Sequence, residues 1–411
     1  MTIRGPKGTD DILPPASRTW ARVLRTWDDL VARYGYEPAL VPLFELTEVF
    51  ARGVGETTEV VSKQMYTFDD RGGRSLSLRP EGTAGIVRAY IQQGSPGTVK
   101  LSYSGPMFRY EQPQAGRRRQ FWQTGVEYLD VTSPWADAEV IEVGYRFLEK
   151  IGLTGVTVLL NTLGDHEDRP AYLASLRDWL RRRSGDLSED SRRRIETNPM
   201  RVLDSKEDIE VVAGAPTPHE FVSASAAEHH RQVIEALDAA AIVHVAAPRL
   251  VRGLDYYTRT AFEYVVEGYD AAQASMGGGG RYDGLAEVLG GRSTPSVGLA
   301  MGIDRIILAL AGSEEALPLD VFVVLADPAL HPETVGLVGR LRRAGVSADF
   351  DPEPGSVKAQ FRRAGGQARY AAVVGEEWAA GKVVVRHLGT GEQQLVDVDD
   401  LDEWVTSSEP G

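Results

Sequence analysis

Two long strand-like runs, set close together in the chain, place the tightest constraint on its fold. Thr98–Phe108 and Arg118–Leu129 are separated by a short loop that contains Pro113 and Gly116. Strands joined by a short connection pair antiparallel, because a parallel crossover needs a dozen or more residues. The sequence therefore predicts an antiparallel hairpin, and with it an antiparallel sheet.

The order of the other elements indicates how that sheet is covered. Apolar residues at helical spacing predict an amphipathic helix over residues 15–34. Further strands are expected at Ala39–Pro42 and Ser75–Leu78, and further helices at Gly82–Gln92 and Asp137–Ile151. Strands and helices do not alternate regularly, which argues against a parallel doubly wound sheet. We predict an α+β fold with an antiparallel sheet flanked by helices.

Two changes of character divide the chain. Residues 166–236 are helical in pattern and rich in arginine, which predicts a helical insertion or, as the alternative, a solvated helical face. A second boundary is expected at Gly312–Asp320, where turn-forming residues accumulate. We therefore expect one domain over residues 1–318 and a small α/β domain over 319–411. The strands and helices predicted for the second domain are Val321–Leu325, Pro332–Ala344, Val357–Ala364, Ala371–Val374 and Lys382–Arg386.

Composition excludes several classes of site. The chain has 411 residues and no cysteine, so disulfides, thiolate nucleophiles and cysteine zinc sites are absent. Its seven histidines show no metal-ligand spacing, so no metal ligand is assigned. The amino-terminal residues contain no apolar signal region, and no later run reaches the roughly 18 apolar residues of a membrane span. We expect a cytoplasmic protein without membrane segments.

The formal net charge of −14 argues weakly against a nucleic-acid partner, although a local basic groove can bind phosphate on an acidic protein.

One face of the hairpin carries many charged, amide and aromatic side chains. Strand alternation places Phe121, Gln123 and Glu127 on one face, and Arg109 and Glu111 share a face of the first strand. Arginines, carboxylates, an amide and an aromatic ring thus gather on one side. A solvent-facing sheet would show the same mixture, so the pattern alone leaves both interpretations open.

The segment Tyr103–Leu129 strongly resembles motif 2 of the class II aminoacyl-tRNA synthetases, in the form found in the histidyl-tRNA synthetases. The resemblance implies that Arg109 holds the α-phosphate of ATP as a catalytic residue. It also implies that Glu111 contacts the adenine, Phe121 stacks on it, and Arg117 reaches the outer phosphates. Arginine suits these roles because its planar fork makes bidentate contacts to phosphate. Gln123 and Glu127 would face the bound L-histidine.

Two further segments extend the resemblance to the amino-acid half of such a site. Leu76–Tyr90 is similar to the family's strand-to-helix segment, where Glu81 and Thr83 would bind the α-ammonium beside the Gly82 backbone; the alternative is a plain polar helix start. Leu250–Val265 contains Arg-Gly-Leu-Asp-Tyr-Tyr, which resembles a signature specific to the histidyl enzymes. That resemblance implies a catalytic Arg252 near the substrate carboxylate and α-phosphate, a Tyr257 bonded to the imidazole, and a Tyr256 lining the pocket. Simple alternation does not place Arg252 and Tyr257 on one face.

A glycine run and a helix start complete the set. Ser275–Leu285 contains four consecutive glycines, expected either where the backbone approaches a ligand or in a flexible loop. Ser296–Leu310 resembles motif 3. Its Arg305 falls in the first turn of a helix, where the helix dipole disfavours a cation, so it needs an anionic partner. The family supplies ATP phosphate, and Asp304 is the structural alternative.

The resemblance covers nearly the whole chain, including segments outside the predicted site. Tyr36–Glu48 resembles motif 1, which in the family builds a homodimer interface, and Asn198–Lys206 resembles its insertion domain. Gln360–Trp378 resembles its anticodon-binding domain. Three positions depart from the usual residues, which are arginine, lysine and histidine respectively: Gln112, Ala115 and Trp122.

The resemblance implies an ATP-dependent activation of L-histidine, with Mg²⁺ accompanying the ATP, and transfer to tRNA(His) by a homodimer. The main alternative is a non-catalytic paralogue that acts as a regulatory subunit of ATP phosphoribosyltransferase in histidine biosynthesis. That paralogue lacks a convincing Arg-Gly-Leu-Asp-Tyr-Tyr element and the anticodon domain, both of which this chain contains. Another class II synthetase would conflict with the two histidyl elements.

Overall fold

A computed structural model describes residues 3–55, 58–203, 205, 207–251, 256–269, 274–310 and 319–408 of the chain. The chain divides into two compact units, Met1–Gly312 and Ser313–Gly411. Each unit has its own sheet and its own buried apolar clusters.

An eight-stranded sheet organises the first unit. Its strands follow the order β1-β5-β6-β11-β10-β9-β7-β8, and all neighbours pair antiparallel except the two edge pairs, β1 with β5 and β7 with β8. Strands β2, β4 and β3 form a separate small sheet. The strands of this unit are β1 (Glu37–Pro38), β2 (Phe44–Leu46), β3 (Thr67–Asp69), β4 (Ser75–Leu78), β5 (Val99–Phe108), β6 (Gln120–Leu129), β7 (Val156–Thr162), β8 (His244–Ala246), β9 (Thr258–Val266), β10 (Ser275–Arg281) and β11 (Ser296–Gly302).

Helices cover the large sheet and bury its apolar side chains. The core on one side combines residues of α1 and α4 with residues of the central strands, including the fully buried Trp27, Phe147 and Phe262. The helices of the first unit are α1 (Ala16–Arg33), α2 (Thr47–Val54), α3 (Thr83–Gln92), α4 (Pro134–Lys150), α5 (Arg169–Arg182), α6 (Glu189–Thr197), α7 (Ile209–Val212), α8 (Ala224–Ala239), α9 (Leu285–Val288) and α10 (Ile303–Ala309).

The arginine-rich segment between β7 and β8 forms a helical insertion with a core of its own. Leu176, Leu180, Ile195 and Val202 are buried against one another in this segment. Several of its arginines form surface ion pairs, as the solvated-face interpretation expects; Arg181, for example, pairs with Glu196 at 2.7 Å. Helix α8 differs, because its Val233 and Leu237 pack into the core of the large sheet. The predicted end of the insertion at residue 236 therefore falls inside α8.

The second unit contains a five-stranded sheet in the order β13-β12-β14-β15-β16. Strand β12 pairs parallel with both β13 and β14, whereas β14, β15 and β16 pair antiparallel. Val321, Val323, Leu337 and Leu341 contribute to its buried core. Its elements are β12 (Leu319–Leu325), α11 (His331–Arg343), β13 (Ala348–Phe350), α12 (Val357–Ala364), β14 (Ala368–Val374), β15 (Lys382–His387), β16 (Gln393–Asp397) and α13 (Leu401–Ser407).

The predicted α+β fold around an antiparallel sheet is confirmed, and the predicted hairpin is β5 and β6. The predicted strand at Ala39–Pro42 is wrong. The backbone N–H of Ala39 still bonds Ser102 at 2.7 Å, but regular pairing ends at Pro38. Pro42 lacks the N–H that a continued ladder needs, and Leu40 is 94% exposed.

Candidate active site

A cavity of about 240 Å³ opens on the face of the large sheet where the hairpin, β10 and β11 meet. Its walls come from the segment between β5 and β6, the first half of β6, the start of α3, the residues directly before β9, strands β10 and β11, and the first turn of α10. The structure brings together at this cavity most of the side chains that the sequence singled out: Glu81, Thr83, Arg109, Glu111, Arg117, Phe121, Gln123, Tyr256, Tyr257 and Arg305.

Three guanidinium groups, those of Arg109, Arg117 and Arg305, line the cavity. Arg117 lies 3.8 Å from Glu111, a loose ion pair, and Arg109 lies 5.1 Å from the centre of the Phe121 ring. Burial lowers the pKa of Arg109 and of Arg305, and the charge of Arg117 lowers both further. Partly buried cations that repel one another mark a place where an anion would be stabilised.

The first turn of α10 supplies Arg305, as its sequence position predicted. Its guanidinium donates to the carbonyl oxygen of Ser275 at 2.9 Å, and no carboxylate of the described residues lies within 4 Å of it. Asp304 is not its partner: the Asp304 carboxylate accepts the backbone N–H of Trp122 at 2.7 Å. The structural alternative for Arg305 is therefore wrong, and its need for an anion remains.

A tight turn between the hairpin strands aims Arg117 at the cavity. Gln114 and Arg117 exchange two backbone hydrogen bonds of 3.1 and 2.9 Å. Gly116, inside the turn, has a φ of 72°, in the left-handed region that glycine adopts without a steric penalty. A Cβ at Gly116 would also lie 3.2 Å from the side chain of Arg305. This glycine therefore lets the turn approach the first turn of α10.

Glu81 combines a structural role with a place in the cavity wall. Its carboxylate accepts the backbone N–H groups of Thr83 at 2.7 Å and Ala84 at 3.0 Å, which are unpaired donors at the start of α3. Burial raises the pKa of Glu81, although these two N–H groups act in the opposite direction. The residue that accepts the N–H groups at the start of the helix therefore also lines the cavity. Gly82 does not line the cavity; a Cβ there would lie 2.3 Å from the Tyr103 ring.

Glu127 lies beneath the cavity wall rather than on its surface. It is fully buried, it accepts the Thr83 hydroxyl at 2.6 Å, and it also accepts the hydroxyl of Tyr282. Gly298, which lines the cavity, separates it from the open space: a Cβ at Gly298 would come within 1.8 Å of a Glu127 oxygen. Burial raises the pKa of Glu127 to about 8, against its hydrogen bonds to Thr83 and Tyr282. Strand alternation predicted the correct face of β6 for Glu127, but it could not predict that Glu127 is fully buried.

Gln123 sits on the same face of β6, two strand repeats before Glu127, and reaches the cavity. Its side-chain carbonyl oxygen is buried and accepts no hydrogen bond from the described residues. A buried acceptor without a donor is costly, so the position favours a ligand that carries N–H groups.

The four consecutive glycines form strand β10 in the middle of the large sheet, not a flexible loop. Gly277 and Gly278 line the cavity. A Cβ at Gly279 would lie 2.0 Å from the carbonyl oxygen of Gly298, and one at Gly280 would lie 2.8 Å from the Tyr257 ring. The run therefore admits close packing of neighbouring strands and of a cavity tyrosine.

A β-bulge in β9 begins two residues after Tyr257, which lines the cavity. Opposite β10, Arg281 pairs with Thr258 but the adjacent Gly280 pairs with Ala261, which leaves Arg259 and Thr260 as extra residues. A bulge of this kind bends the strand and redirects nearby side chains. The bulge follows Tyr257 in the chain, so it does not decide whether Arg252 and Tyr257 share a face. Arg252 lies outside the described residues.

The sequence assigned no role to Tyr282, which the structure places in the cavity wall with its hydroxyl on Glu127. Its position two residues after the glycine run was the available signal. Of the three departures from the usual residues, Gln112 and Ala115 are exposed in the hairpin loop. Trp122 points away from the cavity, bonding Ser104 at 3.0 Å and packing edge-on against Trp20.

The described residues contain no group of three or more histidine, aspartate or glutamate side chains arranged to hold a metal ion. Among the same residues, no helix has the length and apolar character needed to span a membrane.

Comparison with known proteins gives one consistent result. A family model described as Histidyl-tRNA synthetase matches residues 8–306, and one described as Anticodon binding domain matches residues 320–408. The histidine–tRNA ligase of Desulfitobacterium hafniense is 44% identical over 425 residues and covers 100% of both chains. That of Pelotomaculum thermopropionicum is 45% identical over 416 residues and covers 98% of each.

A solved structure agrees with the sequence relatives. The apo histidyl-tRNA synthetase of S. aureus superposes with a TM-score of 0.78 at 35% identity, covering 99% of this chain and 100% of that one. The full-length relatives carry the ligase name, which favours the enzyme over the regulatory paralogue. The chain therefore belongs to the histidyl-tRNA synthetase family of class II aminoacyl-tRNA synthetases.

Proposed function

We propose that this chain activates L-histidine with ATP and transfers the histidyl group to the 3′ end of tRNA(His), releasing AMP and pyrophosphate. The observation that carries the proposal is the cavity itself, which combines three guanidinium groups with buried carboxylates and an unpaired amide oxygen. A triphosphate needs the first set, and an amino acid with an ammonium group and an imidazole needs the second.

The nucleotide occupies the part of the cavity beside the guanidinium groups. Arg109 contacts the α-phosphate, while Arg117 and Arg305 contact the outer phosphates, where their mutual repulsion is relieved. Phe121 stacks on the adenine and Glu111 contacts its edge. The loose 3.8 Å pair between Glu111 and Arg117 supports this arrangement, because it can open without the loss of a strong contact.

Histidine occupies the part of the cavity formed by α3 and β6. Glu81, Thr83 and Gln123 surround its α-ammonium, with the Gly82 backbone behind them. Tyr257 and Glu127 read the imidazole, Tyr256 lines the pocket, and Arg252 meets the carboxylate. Glu127 reaches the ring past Gly298, which has no side chain to intervene.

The reaction follows in two steps. A carboxylate oxygen of histidine bonds to the α-phosphorus, and the bond from that phosphorus to the bridging oxygen breaks, so pyrophosphate leaves with the electron pair. Arg109 and Arg252 stabilise the negative charge that develops on the phosphoryl oxygens. The terminal ribose 3′ hydroxyl of the tRNA then attacks the carbonyl carbon. The bond from that carbon to the phosphate oxygen breaks, AMP leaves, and the hydroxyl proton passes to the leaving phosphate or to water.

We further propose that Mg²⁺ enters with ATP and neutralises phosphate charge. Mg²⁺ usually keeps several waters and takes only one or two protein carboxylates beside the phosphates. Glu111 is assigned to the adenine, so the ion would be held mainly by phosphate oxygens and water, which needs no dedicated carboxylate cluster among the described residues.

The proposed domains are residues 1–318 for catalysis, with an insertion over about 166–236, and 319–411 for anticodon binding. The boundary lies mostly outside the described residues.

A homodimer built on the Tyr36–Glu48 segment is also proposed. Exposed apolar side chains support it, since Leu40 and Phe44 of that segment are 94% and 52% exposed. A cytoplasmic location stays a prediction.

Pyrophosphate exchange into ATP, measured with each amino acid in turn, tests the proposal. We expect exchange with histidine and little with any other amino acid. A regulatory paralogue would show no exchange with histidine, and a different synthetase would respond to another amino acid.

A further inference from the structure

Arg259 adopts a backbone conformation that needs an explanation. It is an extra residue of the bulge in β9, two positions after Tyr257, and its φ is 43°. Residues with side chains rarely adopt this left-handed region, and they keep it only where their surroundings hold them there. The Arg259 N–H bonds Gly164 at 2.8 Å and its carbonyl oxygen accepts Leu163 N–H at 2.7 Å, so the backbone is held from one side.

The Arg259 side chain is held from the other side. Its guanidinium makes a two-pronged contact with Asp165, through Nε and through Nη2, the latter at 3.1 Å. Asp165 lies directly before the insertion, and it also accepts the hydroxyls of Ser223 at 3.3 Å and Ser225 at 3.2 Å, beside the start of α8. Arg259 therefore fastens the bulge to both ends of the insertion.

A second contact of Arg259 leads into the buried interior. Its Nη1 donates to Nδ1 of His229 at 3.2 Å, so the ring proton of His229 lies on Nε2, which donates to Asp137 at 3.1 Å. Asp137 also accepts the fully buried Arg281, the residue directly before Tyr282. The chain of contacts thus runs from the bulge beside Tyr257 to the residue beside Tyr282.

We propose that Arg259 is a positioning residue for the imidazole pocket, acting through Asp165 and His229 to fix the bulge that aims Tyr257. Arg259 does not line the cavity, so it acts without touching a substrate. The inference rests on the proposed function, because that proposal assigns Tyr257 to the imidazole of histidine. Recognition of the amino acid then depends on Arg259, whereas recognition of ATP does not.

Arg259→Met tests this, because methionine keeps an apolar stem and removes both contacts. We expect the KM for histidine in pyrophosphate exchange to rise about 10-fold, since small misplacements of a reading group weaken binding, and the KM for ATP to change less than about 2-fold. Arg259→Lys should be intermediate, because one ammonium cannot serve Asp165 and His229 with the same geometry. Asp165→Asn should raise the same KM, and the double variant should add little to either single one.

The chain offers a closely matched control. Asp130 also has a left-handed φ, 60°, and also makes a two-pronged pair with an arginine, Arg292, at 3.1 and 2.6 Å. Neither residue lines the cavity. Arg292→Met should therefore leave the KM for histidine unchanged.

Three results would overturn the proposal. The first is an unchanged KM for histidine in Arg259→Met. The second is an equal rise in both KM values, which indicates general loosening of the fold, and the third is the same effect in Arg292→Met. If Arg259→Met does not fold, the lysine and Asp165→Asn variants decide by the same comparison. Failure of the parent protein to exchange pyrophosphate with histidine would instead refute the proposed function.

Discussion

Replacing Glu127 by glutamine should remove a pH dependence from the stability of the ligand-free protein. Burial raises the pKa of this carboxyl from an ordinary 4.5 to about 8. A raised folded-state pKa means that the folded protein holds the proton more tightly than the unfolded chain. Below about pH 4.5 this carboxyl is protonated in both the folded and the unfolded protein, and its contribution to stability is fully present. The free energy of unfolding then falls as pH rises from about 4.5 through about 8.

The size of the effect follows from the shift. One pKa unit corresponds to about 1.4 kcal/mol, and roughly 3 kcal/mol of the loss falls between about pH 5 and pH 8. Glutamine nearly keeps the volume and can still accept the Thr83 hydroxyl, but it does not ionise. The free energy of unfolding of the parent should therefore fall by about 3 kcal/mol more than that of Glu127→Gln over this range.

Urea unfolding of both proteins at several pH values measures this difference. Glu196→Gln is a suitable control, because the hydrogen bond from Arg181 lowers the pKa of Glu196 and places its contribution below the pH range of the assay. Parallel pH profiles for the parent and Glu127→Gln would show that Glu127 is ionised in the folded protein. The reasoning from burial would then be wrong.

The same variant tests substrate recognition. Near neutral pH the parent pocket holds one proton on Glu127, and a neutral imidazole has an acceptor nitrogen for it. Glutamine cannot transfer that proton. We expect Glu127→Gln to weaken histidine binding by about 1–3 kcal/mol, with a smaller effect on ATP. Loss of ATP binding with unchanged histidine affinity would move Glu127 to the nucleotide half of the site.

Further variants probe other parts of the site. Arg252→Ala should nearly abolish pyrophosphate exchange by raising the barrier about 3–4 kcal/mol, and exchange close to the parent rate would disprove its role. Tyr257→Phe should raise the KM for histidine more than that for ATP; the opposite order would contradict its place beside the imidazole. Residues 1–318 alone should activate histidine but charge tRNA poorly, because the two units have separate cores, and undiminished charging would refute this. Gly298→Ala should weaken histidine use and lower thermal stability, since its Cβ would lie 1.8 Å from Glu127; parent-like values for both would contradict the close packing seen there.

Local pattern in the sequence predicted a large part of the fold. The hairpin of β5 and β6 followed from its period-two pattern, and it correctly placed Phe121, Gln123 and Glu127 on one face. Helix α1 followed from apolar spacing. In both cases the signal lies within a few consecutive residues. The roles of the site residues came from family resemblance and stay proposals.

Features that depend on distant parts of the chain could not be predicted in this way. The depth of Glu127 depends on Tyr282, which is 155 residues away in sequence. The glycine run is compatible with a loop or a strand until β9 and β11 are known to flank it. The bulge at Arg259 arises from the pairing of two strands, and neither sequence alone contains a sign of it.

The position of β11 in the large sheet has a consequence for synthesis on the ribosome. This strand, Ser296–Gly302, lies between β6 and β10 and joins the two halves of the sheet. Until it emerges, β6 and β10 present unpaired edges, which are prone to pairing with other chains. About three quarters of the chain must therefore be synthesised before this sheet can be completed. Pairing over such long separations is slow, so we expect this protein to depend on chaperones during translation more than a protein of equal size built from local hairpins.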